Sequence, residues 1–80
     1  MNSKITRIIA EDAQGYFTAE LDNGGVRIGL RGGDCFSFIN THPLYNRIIA
    51  LYANQIEAVH DECMGRYASD LNWTNIEAAA

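Results

Sequence analysis

Few side chains in this 80-residue chain could make or break bonds: two cysteines, Cys35 and Cys63, two histidines, His42 and His60, and scattered serines. His60-x-x-Cys63 has a spacing that puts both groups on one side of a helix, and with Cys35 and His42 it would complete a four-ligand zinc set. The other half does not fit, because six residues separate Cys35 from His42, unlike the short ligand pairs of structural zinc sites. His60 and Cys63 also sketch an imidazole–thiol pair, but only Glu57, one turn earlier, stands where it could orient the ring. G-x-S-x-G and H-E-x-x-H are absent, so no catalytic residue, metal or cofactor is assigned and a non-enzymatic role is expected.

A phosphate cradle is the next candidate. Residues 22–34, "DNGGVRIGLRGGD", hold five of the seven glycines. Gly25, Gly29 and Gly32 do not follow G-x-G-x-x-G, and Leu30 stands where a P-loop needs lysine. No helix begins directly after the segment to present its N-terminus to an anion. The glycines read as turn chemistry instead. Asn23-Gly24 offers the positive φ values of a tight hairpin, Gly25 a bulge, and Gly32-Gly33 a second turn.

Arg27 and Arg31 share a strand face, and Phe36 or Phe38 on a neighbouring strand would complete a base-stacking surface. This supports an alternative reading as a small single-stranded nucleic-acid-binding module, or a regulatory or structural homodimer, built on the sheet face. The net charge of −4 opposes nucleic-acid binding, which needs a basic footprint to displace counterions. No direct nucleic-acid contact is therefore expected.

The elements that must position these groups follow from periodicity. "GYFTAELD" and "VRIGLR" alternate with period two, the pattern of half-buried antiparallel strands. "KITRIIA" at 4–10 and "CFSFI" from Cys35 add two more strands, giving a meander of about four. Ile5 and Ile9 lie on one side of the first strand and Ile8 on the other, leaving its buried face undecided. A second covered face would call for a partner, for which a copy of the same chain is one option.

After Ile39 the period becomes helical. Tyr45, Ile48, Ile49, Tyr52, Ile56, Val59 and Cys63 fall inside an arc of about 100°. One long amphipathic helix is expected from near residue 42, capped by Asn40 or Thr41 with Pro43 in its first turn. It ends near residue 63 or runs on to about 72. Thr74-x-x-Glu77 suggests a short C-terminal helical element. The expected architecture is α+β: a small antiparallel meander on one long helix, in a single domain spanning residues 1–80.

The second half carries the negative field. Residues 41–80 hold Glu57, Asp61, Glu62, Asp70 and Glu77 against Arg47 and Arg66. On the polar helix face, Asn54, Glu57 and Asp61, with Glu62 at the flank, form an acidic patch. A helix ending near 63 would set it against the dipole, a local cost that suggests a basic protein partner. Arg27, Arg31 and Trp73 are the second group of candidate protein-binding residues, Trp73 either packing at the core edge or anchoring an interface.

No apolar run approaches the roughly 18 residues of a membrane span, and "MNSKITR" lacks the apolar core of a signal peptide. No membrane association and a cytoplasmic location are expected. From the "ELDNGGVRIGL" hairpin to the acidic "IEAVHDE" helix, the whole chain resembles the small phage-encoded anti-defence inhibitors, anti-CRISPR proteins among them, in size, charge and layout. No motif accompanies the likeness, so no residue role is carried over. The resemblance implies a stoichiometric inhibitor, acting in the host cytoplasm, that occupies a basic protein surface of a nucleic-acid-handling complex.

Overall fold

The computed structural model describes residues 4–67. Four strands, β1 (Ile5–Glu11), β2 (Tyr16–Leu21), β3 (Val26–Leu30) and β4 (Cys35–Phe38), form one antiparallel sheet in the order β1-β2-β3-β4. A short helix α1 (Tyr45–Ile49), a 3-10 turn (Ala53–Gln55) and a longer helix α2 (Ile56–Tyr67) follow. The α+β meander expected from the alternating runs is present. No helix among the described residues is long and apolar enough to cross a membrane.

Each hairpin is closed by local chemistry. Asp12 Oδ1 accepts from the backbone N–H groups of Gln14 and Tyr16 at 2.9 and 3.0 Å, an Asx turn that hands the chain from β1 to β2. Between β2 and β3, Asn23 Oδ1 accepts from Gly25 N–H at 2.8 Å. Gly24 alone takes positive φ there, at +86°; Asn23 does not, so the turn needs one left-handed residue rather than two. A Cβ on Gly25 would meet the Phe38 carbonyl oxygen at 2.5 Å, which makes that position a close backbone approach.

Register sorts the side chains onto two faces. Thr18, Ile28 and Phe36 are cross-strand neighbours, as are Glu20, Val26 and Phe38. Val26, Ile28, Phe36 and Phe38 form the core with Ile48 of α1 and Ile56, Val59 and Cys63 of α2. The opposite face carries Phe17, Ala19, Arg27 and Ser37. Irregularities in the β1–β2 pairing let Ile9 and Ala10 pack toward the core while Ile5 and Ile8 remain exposed. This resolves the ambiguous face of the first strand, since an extra residue shifts the alternation.

The single long helix does not form. An uninterrupted helix over residues 42–63 would be about 33 Å long, against a longest strand of seven residues, about 23 Å. It would overhang the sheet it must cover. The chain instead bends at residues 50–52, with Tyr52 extended at φ −82°, ψ 161°. Gln55 caps the restart, its side-chain oxygen accepting from Tyr52 N–H at 2.9 Å. Tyr52 is thereby expelled from the expected core stripe and is 74% exposed. At the start of α1 neither Asn40 nor Thr41 is the cap: the helix begins at Tyr45 with Leu44 in the N-cap position and no side-chain cap, and the Leu44 N–H donates to His42 Nδ1 at 3.1 Å. α2 continues through Gly65 to Tyr67, past the expected stop near residue 63, while the alternative end near residue 72 lies outside the described residues. The Thr74–Glu77 element lies outside the described residues.

Candidate functional site

α2 begins at Ile56, which places Glu57 in its first turn and Asp61 one turn further on, both exposed. This reverses the electrostatics expected for one long helix. The positive end of the dipole lies beside Glu57 and stabilises it. Asn54 is exposed in the preceding 3-10 turn. Glu62 leaves the patch to bind Arg47, whose guanidinium donates to both carboxylate oxygens at 2.8 and 2.6 Å. That contact holds the Glu62 carboxyl below its usual range and joins α1 to α2.

The β1–β2 turn contributes a third acid, Asp12. Tyr16, half-buried at the start of β2, has its hydroxyl pushed up first by burial and then by the charges of Glu57, Asp61 and Asp12. Asp12 accepts from the Tyr16 N–H at 3.0 Å, and Asp61, 49 positions later, lies 3.8 Å from the His60 ring that packs on Tyr16, so acids distant in sequence border the same side chain. Among the described residues, no arginine or lysine forms an ion pair with any of the three.

His60 lies beneath this cluster, packed edge-on against the rings of Tyr16 and Phe36 at 5.1 and 5.7 Å. Its Nε2 is 3.2 Å from the Asp34 carbonyl oxygen. A carbonyl only accepts, so Nε2 is the donor in this contact. Nδ1 is buried without a hydrogen-bond partner and lies 3.8 Å from an Asp61 oxygen.

The remaining candidates disperse. Arg27, half-buried, donates through Nε to Ser37 Oγ at 2.9 Å. Arg31 pairs with Glu11 at 2.6 Å while lying 5.7 Å over the Phe17 ring. Phe36 and Phe38 are fully buried on the opposite face, so the proposed base-stacking surface is not assembled. Trp73 lies outside the described residues.

His42 packs on the Phe38 ring at 4.5 Å, whereas His60 is engaged at Asp34. No group of three or more His, Cys, Asp or Glu side chains among the described residues is placed to hold a metal ion. The Cys63 thiol is pushed up to about 11 by burial and stays protonated at neutral pH, the wrong state for a nucleophile.

The sequence marked Glu57, Asp61 and, as a possible ligand or base, His60, but missed Asp12 and Tyr16, whose proximity to them is tertiary. The Asp12-x-x-Gly15 turn was the available signal that an acid would be fixed at the mouth of this hairpin. No family model, no curated protein and no solved structure matches the chain.

Proposed function

We propose that the protein is a stoichiometric protein-binding inhibitor, of the anti-CRISPR kind, whose acidic face occupies a basic surface of a nucleic-acid-handling defence complex. Asp12, Glu57 and Asp61 are its centre, with Asn54 at the flank. The observation that carries the proposal is that Asp12, bonded to the Tyr16 N–H, and Asp61, beside the His60 ring that packs on Tyr16, border one side chain with Glu57 one turn before Asp61, none of them ion-paired to an arginine or lysine among the described residues. Three anions on one rim repel one another, and a partner's lysines and arginines would relieve that repulsion. Their field also steers such a partner to the correct face. Carboxylates on this face would then stand where phosphates of a nucleic acid otherwise bind.

Glu62, tied to Arg47, supports the helix pair rather than the contact. The test is a pull-down from cells carrying a CRISPR or restriction system, followed by a binding assay with the purified subunit. Recovery of a basic effector subunit that loses nucleic-acid binding at a one-to-one ratio is expected. Recovery of a metabolic enzyme, or of nothing, would overturn the proposal.

A further inference from the structure

The two edges of the sheet differ. β4 is four residues long and three of them are buried. β1, at the other edge, is the longest strand at seven residues and contains no proline. It pairs with β2 on one side, and among the described residues no other backbone segment bonds to it. An open row of N–H and C=O groups is a template for a further strand.

Ile5 and Ile8, two of the three exposed large apolar side chains among the described residues, both lie on this strand, at 41% and 37% exposure. Ile5 stands opposite Leu21 and Ile8 opposite Ala19, so both project from the sheet face turned away from the helices. Leu21, Ala19 and Phe17 behind them are buried but stand outside the core beneath the helices. An apolar strip thus runs out to the open edge.

The charges of β1 select the partner and its direction. Lys4 and Arg7 flank the first half of the strand and Glu11 closes the second. A second β1 running parallel would set like charges side by side, whereas an antiparallel one sets the basic half of each strand against the acidic half of the other. A twofold axis perpendicular to the sheet generates that antiparallel arrangement from two identical chains. Residues directly opposite in such a pair share a face. With the axis at Ile8, that side chain packs on its own counterpart, and Ile5 lies along the stem of Glu11, which faces the same side opposite Phe17.

We propose that β1 is a self-association edge: two copies of the chain pair β1 to β1, antiparallel about Ile8, and join their four-stranded sheets into one. The assignment does not rest on the acidic-face reading. A single seven-residue edge makes a small interface, so dissociation in the micromolar range is expected.

The test is sedimentation of the full chain from about 1 to about 500 µM, with amide hydrogen exchange followed at both ends of the range. The mass should rise from 8.9 kDa toward twice that value, and the amides of residues 5–11 should exchange more slowly in the concentrated sample. Ile8→Lys should weaken the dimer about tenfold or more by setting two like charges together at the axis, with the fold checked by circular dichroism. Ile8→Glu should do the same, and an equimolar mixture of the two variants should recover association. A monomer at every concentration overturns the proposal and makes the irregular register of β1 a device that blunts the edge. A dimer that survives both substitutions, or a mixture that stays monomeric, also overturns it. Should either variant fail to fold, hydrogen exchange on the wild-type chain decides alone: β1 amides that gain no protection with concentration sink the pairing.

Discussion

Arg47 in α1 donates to both oxygens of Glu62 in α2, at 2.8 and 2.6 Å, across the bend that separates the helices. The contact lowers the Glu62 carboxyl pKa relative to its ordinary value. A depressed folded-state value contributes stability above the unfolded carboxylate value of about 4.3, and loses it as pH falls through the lower folded value. Glu62→Gln should therefore flatten the acid limb of a stability–pH profile while changing stability near pH 7 only slightly, as befits a half-exposed pair. An acid limb identical to that of the wild type would remove this contact from the pH response.

Gly24 is held at φ +86° and its neighbour Gly25 approaches the Phe38 carbonyl. Gly24→Val forces a β-branched side chain into the left-handed region and should cost about 1–2 kcal/mol or more. Thermal unfolding measures this. Unchanged unfolding with lost partner binding would show that the glycine segment is a contact site rather than a turn.

Ile56 is fully buried among Ile28, Phe36 and Val59, whereas Tyr52 is 74% exposed. Ile56→Ala should destabilise by about 2–5 kcal/mol, and Tyr52→Ala should stay within about 0.5 kcal/mol of wild type. Denaturant midpoints discriminate the two. Equal losses at both positions would favour the uninterrupted helical stripe over the observed bend.

The bend explains where sequence reasoning stopped. Phe36, Phe38, Val26 and Ile28 could be placed by period two, because register couples every second residue to one face. Ile48, Ile56 and Val59 could be placed by helical period. Tyr52 could not, since it fits the same stripe and no proline or glycine marks the break; the short sheet limits the helix, and sheet length is a tertiary quantity. Asp12 was equally hidden, because nothing local in the β1–β2 hairpin shows that α2 will bring Glu57 and Asp61 to it.

Cys63 tests the core from the alkaline side. Burial raises its thiol to about 11, from an ordinary value near 8.5. A raised folded-state value contributes stability that is complete below the unfolded value and is lost as pH rises through about 11. Stability should fall across that window, and Cys63→Ala should make the decline shallower without abolishing it, because Cys35 and Tyr16 are also shifted upward. The direct check is thiol labelling at pH 8: Cys63 should react only after denaturation. Rapid labelling of the native chain at Cys63 would contradict its burial.

The acidic face gives the functional prediction. Glu57 is favoured by the start of α2, so Glu57→Lys/Asp61→Lys should cost up to about 1 kcal/mol through the dipole. Attraction to Asp12 offsets part of that loss, and the fold should persist by circular dichroism. Binding to the basic partner should weaken most at low ionic strength, where charges are least screened, and the slope of affinity against salt should decrease. Calorimetry at low and high salt measures both quantities. Affinity equal to the wild type at both would make the acidic face a solvated surface only. The partner would then have to be sought at the opposite sheet face around Arg27 and Arg31, or at Trp73.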